Sequence, residues 1–212
     1  MAQTDGLYPV QFSVDYPDRE LNRLSTAFRI IWVIPIAVVL ATLSGGGPWG
    51  VGNETRYTVA VGSGGLLFIP PLLMILFRQK YPRWWFDWNL QLLRFGARVG
   101  AYLVLLRDEY PSTDEEQAVH LDFPYPDAKN GLNRWLPLVK WLLAIPHYIV
   151  LVFLFLAAIV VVIIAWFSIL FTGRYPRGLF DFVVGVGRWS TRVDGYAFVL
   201  VTDQYPPFRL DP

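Results

Sequence analysis

Hydrophobic and polar positions follow two rhythms along this chain. Near its start Val10, Phe12, Val14 and Tyr16 are apolar while Gln11, Ser13 and Asp15 are polar. The same period of two returns at Val119, Leu121 and Phe123 against His120 and Asp122. Such alternation predicts short, half-buried strands. Elsewhere the rhythm is helical. Trp85, Trp88, Leu92, Phe95 and Val99 fall on one helical stripe, opposite Asp87, Gln91, Arg94 and Arg98. Leu179, Phe182, Val186, Trp189 and Val193 do the same opposite Asp181, Arg188 and Arg192. Aromatic-rich helices with one apolar and one basic face predict helices lying in a membrane interface.

Three apolar runs accompany them. Leu24 to Leu43 contains Pro35, and Thr58 to Phe77 is interrupted by Gly62, Gly64, Gly65, Pro70 and Pro71. The third, residues 141–173, carries no charge and includes Pro146. About 20 residues cross a hydrocarbon core of about 30 Å. As one helix, 141–173 would extend about 50 Å, more than a single crossing uses. The interval Arg29 to Arg78 is longer still, by about the length of the Gly-rich polar segment Ser44 to Thr58. These lengths predict a two-helix hairpin at both places, the second turning near Leu154–Ala158. One long helix over 141–173 stays open as the alternative.

The order of features is written twice. Tyr16-Pro17-Asp18 and Leu21-Asn22-Arg23 are answered by Tyr125-Pro126-Asp127 and Leu132-Asn133-Arg134. Ile34-Pro35 is answered by Ile145-Pro146, and Tyr81-Pro82-Arg83 by Tyr175-Pro176-Arg177. Tyr102 pairs with Tyr196, and Asp108-Glu109-Tyr110-Pro111 with Asp203-Gln204-Tyr205-Pro206. This predicts tandem membrane repeats at 8–111 and 119–207, joined by an acidic linker at 112–118. The expected fold class is an α-helical integral membrane protein with a small β component. Each repeat would run strand, transmembrane hairpin, interfacial amphipathic helix, closing strand, the first closing strand being Tyr102 to Leu106.

Composition agrees with a membrane setting. Hydrophobic residues make up 54% and charged ones 17%, against about a quarter charged in soluble domains. The 9 Trp, 11 Tyr and 15 Phe suit interfacial belts. A net charge of +1 argues against nucleic acid as a partner. Without cysteine there is no disulfide framework, thiolate nucleophile or cysteine metal site. The polar segment with Asp5, Asp15, Asp18 and Glu20 ahead of the first run does not resemble a signal peptide, so that run reads as a retained span. Of the 18 Lys and Arg, only Arg56 lies in the expected outer loop. The positive-inside rule then predicts a multi-pass protein with both termini cytoplasmic.

Residues 144–147 (Ala-Ile-Pro-His), the run Ile164 to Phe182 with its Thr172-Gly173-Arg174-Tyr175-Pro176-Arg177 core, and the closing Tyr205-Pro206-Pro207-Phe208 carry a resemblance. They resemble a bacterial membrane family common in actinobacteria, domain of unknown function 4389. The likeness extends over nearly the whole chain and is strongest in its second part. The first part departs from it, with Phe77-Arg78-Gln79-Lys80 where the second has Phe-Thr-Gly-Arg, and Ile36 where the second has His147. The resemblance implies a multi-spanning protein of the bacterial inner membrane, and brings no catalytic residue, substrate or cofactor with it.

Candidate chemistry centres on the amphipathic helices. Arg83, Arg94, Arg98, Arg177, Arg188 and Arg192 are candidate contacts for lipid headgroups. Tyr81, Pro82, Asp87, Tyr175, Pro176, Asp181, Pro35 and Pro146 form the structural motif, with Asp87 and Asp181 near helix N-termini where a carboxylate is favoured. His147, the histidine of an apolar segment, reads as an interfacial residue bonded to a neighbour. The glycine clusters lack the lysine and hydroxyl residue of a phosphate loop, and no metal or cofactor set is expected. The sequence leans away from an enzyme, toward a non-catalytic scaffold or accessory subunit. Its expected partners are membrane lipids and a second protein or another copy of itself. The alternative is a small transporter or lipid-handling protein built on the proline-broken segments.

Overall fold

A computed structural model describes residues 8–43 and 68–212. Among them the chain forms seven helices and two short strands. The strands β1 (Gln11–Val14) and β2 (Val119–Asp122) pair antiparallel, with Phe12 opposite Leu121 and Val14 opposite Val119. All four of those side chains are buried, while Ser13 and His120 face out. A two-stranded ribbon this short is marginal alone. It is held by helices instead, β1 packing on α7 and β2 on α4.

Those helices, α4 (Arg83–Leu103) and α7 (Arg177–Ala197), are each 21 residues long. Pro82 and Pro176 cap them in extended backbone, with φ near −64° and −61°. A proline at that point gives up no needed donor and presets the entry into the first turn. Both helices reach further than the sequence suggests. They take in Tyr102 and Tyr196, so the expected closing strands do not form. The chain turns instead through Leu105 and Leu200, whose φ values are 68° and 61°. Both leucines are buried, and their packing holds a left-handed conformation that costs a non-glycine residue free energy.

The apolar runs give α1 (Arg23–Ala27), α2 (Arg29–Leu43), α3 (Ile69–Arg78), α5 (Pro137–Leu143) and α6 (Ile145–Thr172). The expected repeat of strand, transmembrane hairpin, helix and strand is overturned here. No hairpin turns near Leu154–Ala158, and α6 runs unbroken for 28 residues to Gly173, at φ 75°. Nothing in 154–158 opposes the helix, since that segment holds neither Gly nor Pro. Among the described residues α6 is the one helix long and apolar enough to cross a membrane, so the expected multi-pass arrangement is not supported. The shorter α2 and α3 are apolar but span 15 and 10 residues. The expected loop 44–58 and the first half of the run after it, to residue 67, lie outside the described residues. Pro70, Pro71 and Pro146 sit in the first turns of α3 and α6, where proline is tolerated, while Pro35 is inside α2.

The main core gathers β1, β2 and the inner faces of α4 and α7 around Tyr81, Tyr175, Phe86 and Phe180. The C-terminal half of α6 joins it through Ala165 and Ile169. Its N-terminal half packs separately, Leu151 lying with Trp189, Val193 and Tyr196 of α7.

Candidate functional site

The two Tyr-Pro-Arg segments exchange contacts with the segments that follow the strands. The Tyr16 hydroxyl donates to the carbonyl of Tyr175, and the Tyr125 hydroxyl to the carbonyl of Tyr81. Tyr16 also meets Phe180 edge-on, as Tyr125 meets Phe86. Arg177 lies over the Tyr16 ring at 4.7 Å and Arg83 over the Tyr125 ring at 5.3 Å. Tyr81 and Tyr175 are buried, which pushes both hydroxyls up from their ordinary range. Tyr81 donates to the carbonyl of Val199 at 2.9 Å. These contacts recur in pairs, although the secondary-structure unit expected to repeat does not.

The six candidate arginines fall into two groups. Arg83 and Arg177 are exposed on the first turns of α4 and α7, with Asp87 4.0 Å from Arg83 and Asp181 also exposed. The other four turn inward to main-chain carbonyls. Arg94 donates to Leu121 and pairs with Asp122 at 3.1 Å, and Arg188 donates to Phe12 and Leu210. Arg98 donates to Ser112, and the fully buried Arg192 donates to Arg209 and Asp211. These guanidinium groups stitch the helices to the ribbon and to the C-terminal segment. Of the six, Arg83 and Arg177 are the pair open to an outside ligand.

Two buried cations escaped the sequence reading. Arg29, at the first turn of α2, is 2% exposed and pairs with Asp108. It also donates to the Arg107 carbonyl and stacks over Tyr102 at 4.2 Å. Lys140 of α5 has the same surroundings. It is fully buried, lies 2.7 Å from Asp203, donates to the Thr202 carbonyl and sits 5.1 Å from the Tyr196 ring. Each aspartate also accepts from a backbone N–H, Asp108 from Asn22 and Asp203 from Asn133. Burial pulls the Lys140 ammonium down, and the hydrogen bond and charge of Asp203 push it back up. A signal for these clamps exists: Arg29 and Lys140 hold the same place relative to Pro35 and Pro146 as Tyr102 and Tyr196, Asp108 and Asp203 hold in the paired order.

His147 is buried at the start of α6. Trp189 donates its indole N–H to His147 Nδ1 at 3.0 Å, and Phe208 stacks on the imidazole at 4.0 Å between centroids. Because Nδ1 accepts, the ring proton of the neutral form is on Nε2. Asp194 of α7 has no ion pair among the described residues, and burial pushes its carboxyl up to about 7. Among the described residues no group of three His, Cys, Asp or Glu is placed to hold a metal.

Residues 135–209 match the family model described as domain of unknown function (DUF4389). The matched part takes in α5, α6 and α7, and with them the Lys140–Asp203 clamp and His147. One copy is found, in the part of the chain where the resemblance is strongest. No curated protein and no solved structure matches the chain.

Proposed function

We propose that this protein is a non-catalytic module of the bacterial inner membrane, held there by α6, that scaffolds or accompanies a larger membrane complex. The observation carrying this reading is the asymmetry of α6. Leu151, Ala158, Ala165 and Ile169 are buried on one stripe, while Phe153, Leu156, Val160 and Ile163 are more than half exposed. Only 17% of its most apolar 18-residue window is buried inside the protein. A core helix of a water-soluble protein would be covered on that outer face, whereas a membrane helix presents it to lipid. Arg83 and Arg177, exposed beside aromatic rings, supply interfacial contacts with lipid headgroups. The other charged clusters serve the fold itself, which favours an anchoring role over a chemical one.

Alkaline extraction of membranes, followed by gentle detergent solubilisation and size analysis, tests both halves of the reading. The protein is expected in the membrane pellet, and after solubilisation in an assembly with a second protein or with itself. Release by alkali contradicts the anchoring, and a free monomer contradicts the accessory role.

A further inference from the structure

A pocket of about 260 Å³ lies between α1–α2 and α6. Ile30, Leu103, Val162, Ile163 and Trp166 supply apolar wall, and Thr26 and Arg29 line it as well. At that size, near the lower end of ligand pockets, it takes a segment of a molecule. Two of its lining residues carry donors without a hydrogen-bond partner. The Thr26 hydroxyl and the Arg29 Nε–H are buried without a partner, in residues 0% and 2% exposed. The other donors nearby are in use: Arg29 Nη1 on the Arg107 carbonyl, Nη2 on Asp108, and the Trp166 indole on the Thr26 carbonyl at 3.1 Å.

A buried donor without an acceptor is costly, so the chemistry asked for is an acceptor on an apolar stem. A carboxylate is disfavoured, because Asp108 already balances the Arg29 charge and a second anion would be buried unpaired. A neutral ester carbonyl fits. Ile163, 52% exposed, belongs to the outward face of α6, where lipid is the surrounding solvent, and Ile30 of α2, 76% exposed, borders the same pocket. We propose that the pocket takes the carbonyl end of one acyl chain of a membrane lipid. The ester oxygen accepts from Thr26 and Arg29 Nε, and the first methylenes lie along Leu103, Val162 and Ile163. The proposal rests on the membrane reading of α6.

The test uses the full chain in phosphatidylcholine vesicles carrying a photoreactive diazirine on the acyl chain close to the ester. Adducts are expected to concentrate in residues 26–30 and 162–166. Val162→Trp, which fills the pocket, and the near-isosteric Thr26→Val should both lose this concentration, leaving only the background labelling found elsewhere on α6. If Val162→Trp does not fold, Thr26→Val decides. Adducts spread evenly along α6, or unchanged in Thr26→Val, overturn the pocket assignment and leave the membrane reading standing. A complete lack of adducts on α6 overturns both.

Discussion

The Lys140 ammonium, buried just ahead of α6, lies 2.7 Å from the Asp203 carboxylate near the far end of the chain. It ties α5 to the segment that follows α7, as Arg29 and Asp108 tie α2 to the segment that follows α4. Removing one partner strands a buried charge, which costs about 3–5 kcal/mol. Lys140→Met and Asp203→Asn are therefore each expected to lower the thermal unfolding midpoint sharply in detergent. Lys140→Met combined with Asp203→Leu should recover part of the loss, since no charge is left stranded, although the Asn133 N–H and the Thr202 carbonyl lose their partners. A double variant no better than the worse single one would show that the clamp itself is not what the single changes disturb.

Two helical glycines should respond to alanine with opposite signs. At Gly100 an added Cβ meets nothing within 4 Å, so Gly100→Ala is expected to stabilise by about 0.5–1 kcal/mol through helix propensity. At Gly195 the Cβ would approach Val10 Cγ2 at 2.6 Å, just ahead of β1 beneath α7. Overpacking of that kind costs about 1–3 kcal/mol, so Gly195→Ala should lose stability. Chemical unfolding of the two variants side by side reads both signs.

Asp194 is expected to make stability depend on pH. Its folded-state value is raised from 3.8 to about 7 by burial, so the folded protein holds a proton that the unfolded chain has released. Stability from this group is full below the ordinary carboxylate value, falls as pH rises toward about 7, and is flat beyond. The unfolding midpoint is therefore expected to drop between about pH 4 and 7, and Asp194→Asn should flatten that part of the profile. An unchanged profile in the variant would assign the dependence to other groups.

His147 should be replaceable only by an acceptor. Trp189 donates to it inside a fully buried contact, and leaving that indole N–H unmet costs about 1–3 kcal/mol. His147→Leu is expected to destabilise by that order, measured by thermal unfolding. A combined His147→Leu and Trp189→Phe change should cost less than the sum of the two single changes.

Much of the local structure was legible in the residues. The period-two segments hold β1 and β2, and the Tyr-Pro-Arg starts mark the first turns of α4 and α7, because proline and periodicity act locally. Residues 141–173 have the length of a hairpin but no Gly or Pro near Leu154–Ala158 to turn one, so the helix continues. The closing strands failed for another reason. A short apolar run after a helix suits either a strand or helix continuation, and the buried turns at Leu105 and Leu200 depend on tertiary packing. Arg98 and Arg192 lie on the polar stripe of their helices, but carbonyls of the segments that follow those helices accept from them, which a helical projection cannot register. The clamps at Arg29 and Lys140 join residues far apart in the chain, so only the paired order of motifs hinted at them.

The membrane placement of α6 is tested most directly by single cysteines, since the chain contains none of its own. Phe153→Cys, Leu156→Cys, Val160→Cys and Ile163→Cys put a thiol on positions exposed on the protein, and Trp135→Cys and Arg174→Cys put one beyond each end of the helix. In intact membranes a water-soluble maleimide should leave the four mid-helix thiols unmodified and label the two flanking ones. In a membrane-free denatured sample all six should react. Rapid labelling of the mid-helix positions in intact membranes would contradict the account.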